Sequence, residues 1–186
     1  MRTLLSCTVV LMLATGCTSP SKDGRSHSTV GPHAAQAVSR SDAQILSVVS
    51  AINHNEIAIA QQARSRKLAA GVGNYASMMI QDHSANQKEI ERLGTPVASE
   101  RSQAGLAEGQ ALESALAAHD ADYSRAYMEA MVKEHVKALD LLQNTLLPQA
   151  EAEGVKAHLM NTRTSVQNHL KAARSLEDTL ERANPS

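Results

Sequence analysis

The sequence predicts an all-α protein, a four-helix bundle with a long crossover that contains a short helix between helices two and three. Three observations predict it. Four segments of similar length repeat apolar residues at helical spacing, and no stretch alternates with period two over a useful length. The chain has no Trp, no Phe and only 3 Tyr, so its core must be Leu, Ile, Val, Met and Ala. Small and unbranched apolar residues suit close-packed helices better than sheets.

The 186 residues divide into a leader, a tether, one domain and a short tail. Residues 1–16 read as an export signal. Arg2 is the only charge before a mostly apolar run from Leu4 to Leu13, too short for a permanent membrane span. Leu13-Ala14-Thr15-Gly16-Cys17 resembles a bacterial lipoprotein signal, with Cys17 as the lipidated residue, although Ala14 stands where Leu is usual. Cleavage after Gly16 without lipidation is the alternative, and it would release a soluble periplasmic protein. Thr18 after the cysteine resembles the outer-membrane class, facing the periplasm. The expected membrane contact is therefore the lipid on Cys17, and protein partners are unknown. Cys7 lies inside the signal, so the mature chain has no internal disulfide available.

Residues 17–40 are rich in Ser, Thr, Gly, Pro, Lys and His and read as a flexible tether that includes His27 and His33. The bundle domain is expected over 41–182, with a tail over 183–186. Ser41 and Gln44 fit a capping box before helix one, which runs from Asp42 to Lys67. Its stripe is Ile45, Val48, Val49, Ile52, Glu56, Ile59 and Ala63. Helix two runs from Ala70 to Leu93 with the stripe Val72, Ala76, Met79, His83, Asn86, Ile90 and Leu93, and Gly94 and Pro96 stop it. Residues 94–119 are too long for a tight turn, and Leu106, Leu112 and Leu116 predict a short helix within them. Helix three runs from Asp120 to Leu147, ended by Pro148, with the stripe Tyr127, Met128, Met131, His135, Ala138, Leu142 and Leu146. Helix four starts after Gly154 and reaches Glu181 through Val155, Leu159, Thr162, Val166, His169, Ala173, Leu176 and Leu180.

Each stripe holds one residue that is costly to bury unless paired or bound: Glu56, His83, His135 or His169. The helix midpoints fall near Asn55, Gln81 to Asp82, Glu134 and Asn168. The four residues lie within about two positions of these, or roughly 3 Å along an axis. Helices of equal length packed side by side bring their midpoints to one level. Three imidazoles and a carboxylate in one layer form a ligand set for a transition metal, Zn, Cu or Fe. Asp82, Glu134 and Asn86 are available to orient the imidazoles, and Tyr123 or Tyr127 to donate hydrogen bonds nearby. Met79 and Met131, each four residues before a histidine, keep copper open if helices two and three are parallel. The competing reading is a metal-free polar network that keeps the bundle in register. His54, His119 and His158 fall off the stripes and are expected at the surface.

A dinuclear carboxylate site would need Glu-x-x-His on two helices. No Glu stands three residues before a His, so a ferroxidase is disfavoured. No Ser-His-Asp or Cys-His arrangement is readable, so no catalysis is assigned. A metal-dependent oxidoreductase would need a further open position near Tyr123 or Tyr127. A formal net charge of -1 without a basic run argues against nucleic acid as a partner.

Four elements together carry a family resemblance. They are Asn53-x-x-Glu56-Ile57, Met79-x-x-Asp82-His83-Ser84, Tyr123-x-x-x-Tyr127-Met128-x-x-Met131-x-x-x-His135, and His169-Leu170. From about Ser41 to Leu180 the chain resembles the bacterial family known as domain of unknown function 4142. The resemblance implies a ferritin-like four-helix fold with the crossover, and export, often as a lipoprotein or outer-membrane protein. Its pattern falls on Glu56, Asp82, His83, His135 and His169, and it implies no established reaction.

Overall fold

Arg40–Arg64 form the first helix, α1, of the computed structural model, which describes residues 38–120 and 122–183. The expected signal, Cys17 and nearly all of the tether lie outside the described residues, as do residues 184–186 of the tail. Among the described residues every regular element is helical. The cap of α1 is Ser39 rather than Ser41, and its hydroxyl accepts from the Asp42 backbone N–H at 3.1 Å. Capping two residues earlier leaves the Asp42 carboxylate free for another task. Its Oδ1 and Oδ2 accept the backbone N–H groups of Glu151 and Ala152 at 2.9 and 2.8 Å, more than a hundred residues away. These are donors just before the last helix, and a buried carboxylate satisfies both.

Asp42→Ala is therefore expected to lower the unfolding free energy by about 2–3 kcal/mol, because two donors lose a charged acceptor. Urea denaturation reads this directly, and an unchanged midpoint would show that the contact contributes nothing net.

The second helix, α2 (Val72–Leu93), runs antiparallel to α1: Asn53 meets Asn86, and Arg64 meets Ser77. Its entry turns at Gly71, whose φ of 84° lies where side-chain-bearing residues are strained. The third, α3 (Glu100–Ala117), starts at a capping box between Ser99 and Ser102. At 18 residues it is far longer than the short helix expected in this connection. Only Ser102 and Leu116 are buried along it, so its hydrophobic signal is faint. Polar side chains of α1 and of the turn after it bind its backbone instead. Asn55 Nδ2 donates to Gly105 O at 2.8 Å, Gln62 Nε2 to Glu113 O at 3.0 Å, and Arg66 to Ala117 O at 3.0 Å. The rising order of both partners makes α3 parallel to α1.

The fourth helix, α4 (Tyr123–Leu141), begins where α1 ends, with the Tyr123 hydroxyl donating to Gln62 Oε1 at 2.9 Å. A π-helical turn over Leu142–Leu146 and a last turn, α5 (Leu147–Gln149), extend it past the stop expected at Leu147. The wider turn gives the Pro148 ring room that an α-helical turn denies it. The final helix, α6 (Glu153–Ala183), returns from the α1 N-terminus. Helices α2 and α4 thus run parallel, each antiparallel to α1.

Two apolar clusters make the core, and α1, α2, α4 and α6 contribute to both. One holds Ile59, Val72, Met79, Tyr127, Met131 and Ala173. The other holds Leu46, Val49, Ile90, Leu142, Leu146 and Leu159. Between them, on every one of the four helices, lie the polar residues of the next subsection. No helix among the described residues is long and apolar enough to cross a membrane. His54 and His119 are exposed, but His158 is buried, contrary to its expected surface position. It sits one position before Leu159 on the wide buried face of α6, where Glu89 and Arg92 of α2 are near, and burial lowers its pKa.

Candidate metal centre

His83 from α2, His135 from α4 and His169 from α6 converge between the two apolar clusters. All three are buried. Their ring centroids lie 6.5 Å (His83–His135), 5.4 Å (His83–His169) and 5.5 Å (His135–His169) apart. One potential ligand nitrogen from each ring lies within 4.8 Å of those from the other two. Helical periodicity explains the convergence. Each histidine lies in the buried stripe of its own helix, and the helices pack so that the three positions share one level.

The outward nitrogens are all engaged. His83 Nδ1 is 2.9 Å from Asn53 Oδ1, His135 Nδ1 is 2.7 Å from the Met131 carbonyl, and His169 Nε2 is 2.9 Å from Asp82 Oδ2. Carbonyl and carboxylate oxygens only accept, so each of these nitrogens carries the proton. For His83 a chain of partners sets the direction. The Thr162 hydroxyl donates to His158 O at 2.9 Å and accepts from Asn86 Nδ2 at 2.7 Å. That turns Asn86 Oδ1 toward Asn53 Nδ2, at 2.8 Å, and leaves Asn53 Oδ1 for His83. In the neutral form of each ring the inward nitrogen is then a bare lone pair. His83 Nε2 and His169 Nδ1 are buried with no hydrogen-bond partner.

Burial keeps the His83 and His135 rings neutral. Burial, then the neighbouring His169 and His135, depress the His83 pKa to about 3. Burial depresses His135 to about 4, partly opposed by its bond to Met131 O. Neutral imidazole is the form that ligates a metal.

Glu56 is buried but stands outside this group of three. Its Oε2 has no partner, and burial followed by the Glu134 charge raises its pKa to about 8. Its electrostatic neighbours include Tyr75 and Tyr127, buried phenols whose hydroxyls also lack partners and whose pKa values burial raises. Tyr127 stacks on Tyr123 and meets Tyr75 edge-on, with centroids 6.2 and 6.1 Å apart. Glu134 orients no imidazole of the trio: its carboxylate accepts from Lys137 at 3.1 Å. Asn86 reaches His83 only through Asn53. Asn53 itself, an orienting residue that stripe reading passed over, sits beside Ile52 and is as buried as any core residue.

The donors fit an N-rich transition-metal site. Buried acceptors without donors cost about 1–3 kcal/mol each, and a cation removes that cost at His83 Nε2 and His169 Nδ1 together. Nitrogens bonded at about 2.0–2.1 Å to one tetrahedral ion lie roughly 3.3 Å apart. The rings would therefore need to draw inward by about 1 Å, a modest side-chain movement.

A family model described as a domain of unknown function (DUF4142) matches residues 28–176. No curated protein and no solved structure matches the chain.

Proposed function

Because the chain belongs to the DUF4142 family, whose description assigns no reaction, we propose its function from the site: it binds one transition-metal ion through His83, His135 and His169. A single observation carries this reading. Three buried imidazoles bring one nitrogen each within 4.8 Å of the others while each opposite nitrogen is held by an acceptor. Ligating histidines are oriented in this way, with the far N–H fixed by a carboxylate or carbonyl. The ion is Zn, Cu or Fe, and its role is sequestration or stress protection in the cell envelope. The bundle belongs to the ferritin-like type, with α3 as the crossover. Lipidation at Cys17 would tether it to the outer membrane on the periplasmic side.

A second reading treats the layer as a metal-free device that fixes helix register. The Asn53–Asn86–Thr162 chain favours it, since it joins α1, α2 and α6. A purely structural network, however, is expected to satisfy its inward atoms as well as its outward ones.

Elemental analysis of protein purified without an affinity tag decides between the two. Stoichiometric metal supports the first reading. A metal-free protein whose melting temperature ignores added Zn, Cu and Fe removes it. Mass spectrometry of the mature N-terminus tests the tether: a diacylglyceryl mass on Cys17 is expected, and a free thiol there would mean simple cleavage.

A further inference from the structure

A cavity of about 910 Å³ lies between α1, α3 and α4, walled by Glu56 and Glu134 among others. It exists because polar side chains of α1 clip α3 to α1, leaving space beside α4. The Asn55 side chain, bonded to Gly105 O, occupies the place a Cβ on Gly109 would take. Val136 of α4 is left 45 % exposed on the cavity wall.

The wall is rich in carboxylates. Glu100, Glu108 and Asp140 join Glu56 and Glu134, against the cations Arg101 and Lys137. Lys137 already bridges Glu134 at 3.1 Å and Glu108 at 3.5 Å. Glu56 is different from the rest. It is 7 % exposed, its Oε2 has no hydrogen-bond partner, and the charge that acts on it is another carboxylate, Glu134. A buried carboxyl without donors needs a proton or a cation.

We propose that Glu56 and Glu134 form a second cation site, distinct from the three imidazoles, where a hard divalent cation is held by carboxylate oxygens on the inner wall of this cavity. Oxygen donors select ions such as Mn²⁺ and Mg²⁺, whereas imidazoles select Zn, Cu and Ni. The two sites thus take different ions. The acidic rim draws cations toward the opening, and Lys137 swings aside when Glu134 engages the ion.

Mn²⁺ itself is the probe, titrated into the chelator-treated mature chain, with free Mn²⁺ followed by electron paramagnetic resonance. About one bound Mn²⁺ per chain is expected, at carboxylate rather than imidazole donors. Affinity should fall by at least about tenfold in Glu56→Gln and separately in Glu134→Gln, each keeping the wild-type circular dichroism. A His83→Ala, His135→Ala variant should still bind Mn²⁺. Undiminished binding in both glutamine variants overturns the proposal. So does the absence of binding up to millimolar Mn²⁺. Failure of the imidazole site to take metal would leave these outcomes unaffected, so the two readings fail separately.

Discussion

Replacing His83 and His135 together by alanine is expected to abolish the rise in melting temperature that a transition metal gives the wild type. At free metal about a hundred times Kd, binding stabilises the folded state by about 3 kcal/mol. For a domain of this size that is roughly 5–10 °C. Two of the three nitrogens are gone in the variant, and His169 alone cannot hold the ion against water. The comparison is made within each protein, with and without metal, so any packing loss from the substitutions cancels. A subtler form probes the orienting residues. Asn53→Ala leaves all three ligands but frees the His83 ring, and should weaken binding by about 10–100-fold. Titration against a chromogenic chelator reads both. An Asn53→Ala protein with undiminished affinity would show that the ring needs no such hold, and an equal metal shift in the double-histidine variant would move the site elsewhere.

Much of this was readable beforehand because α1, α2, α4 and α6 each keep a wide buried face at helical spacing. Stripe reading locates a face and a height, and three imidazoles at one height met. It fails where a position is buried for another reason. Asn53 lies off the stripe of α1, yet it is buried because α2 and α3 cover that helix on two sides. Stripe reading also fails for long side chains. Glu56 has more rotatable bonds than histidine, so its height on α1 does not say whether the carboxylate joins the rings or turns to the cavity. The length of α3 was hidden because it is attached through backbone carbonyls, which no side-chain pattern records. The continuation past Pro148 was hidden because the π-helical turn over Leu142–Leu146 is a backbone adjustment rather than a sequence motif.

The metal-free protein should be most stable near pH 6.5 as far as the site's own groups decide, and Glu56→Gln should remove the decline on the alkaline side. Glu56 titrates near 4.5 when unfolded and about 8 when folded, because burial and then Glu134 disfavour its charge. Between those values the unfolded chain releases a proton that the folded one keeps. Stability therefore falls as pH rises, by about 1.4 kcal/mol per unit and roughly 4–5 kcal/mol across the window. The histidines act oppositely. His83 and His135 are held neutral down to about 3 and about 4, while the unfolded rings protonate below 6.5. Their contribution is complete above 6.5 and is lost as pH falls. From 4.5 to 6.5 two rings outweigh one carboxyl, and above 6.5 the carboxyl acts alone, which places the maximum. Glutamine keeps the shape of Glu56 without its charge, so urea denaturation at pH 6.5 and pH 8 with chelator should show a slope in the wild type and none in the variant. Parallel behaviour of the two proteins would mean that Glu56 ionises freely in the folded state. A carboxyl that destabilises the fold at neutral pH serves no structural end that glutamine, filling the same space, would not serve better. A divalent cation on Glu56 and Glu134 reverses the balance: it binds the ionised form, and the same alkaline decline should then flatten in the wild type when Mn²⁺ is present.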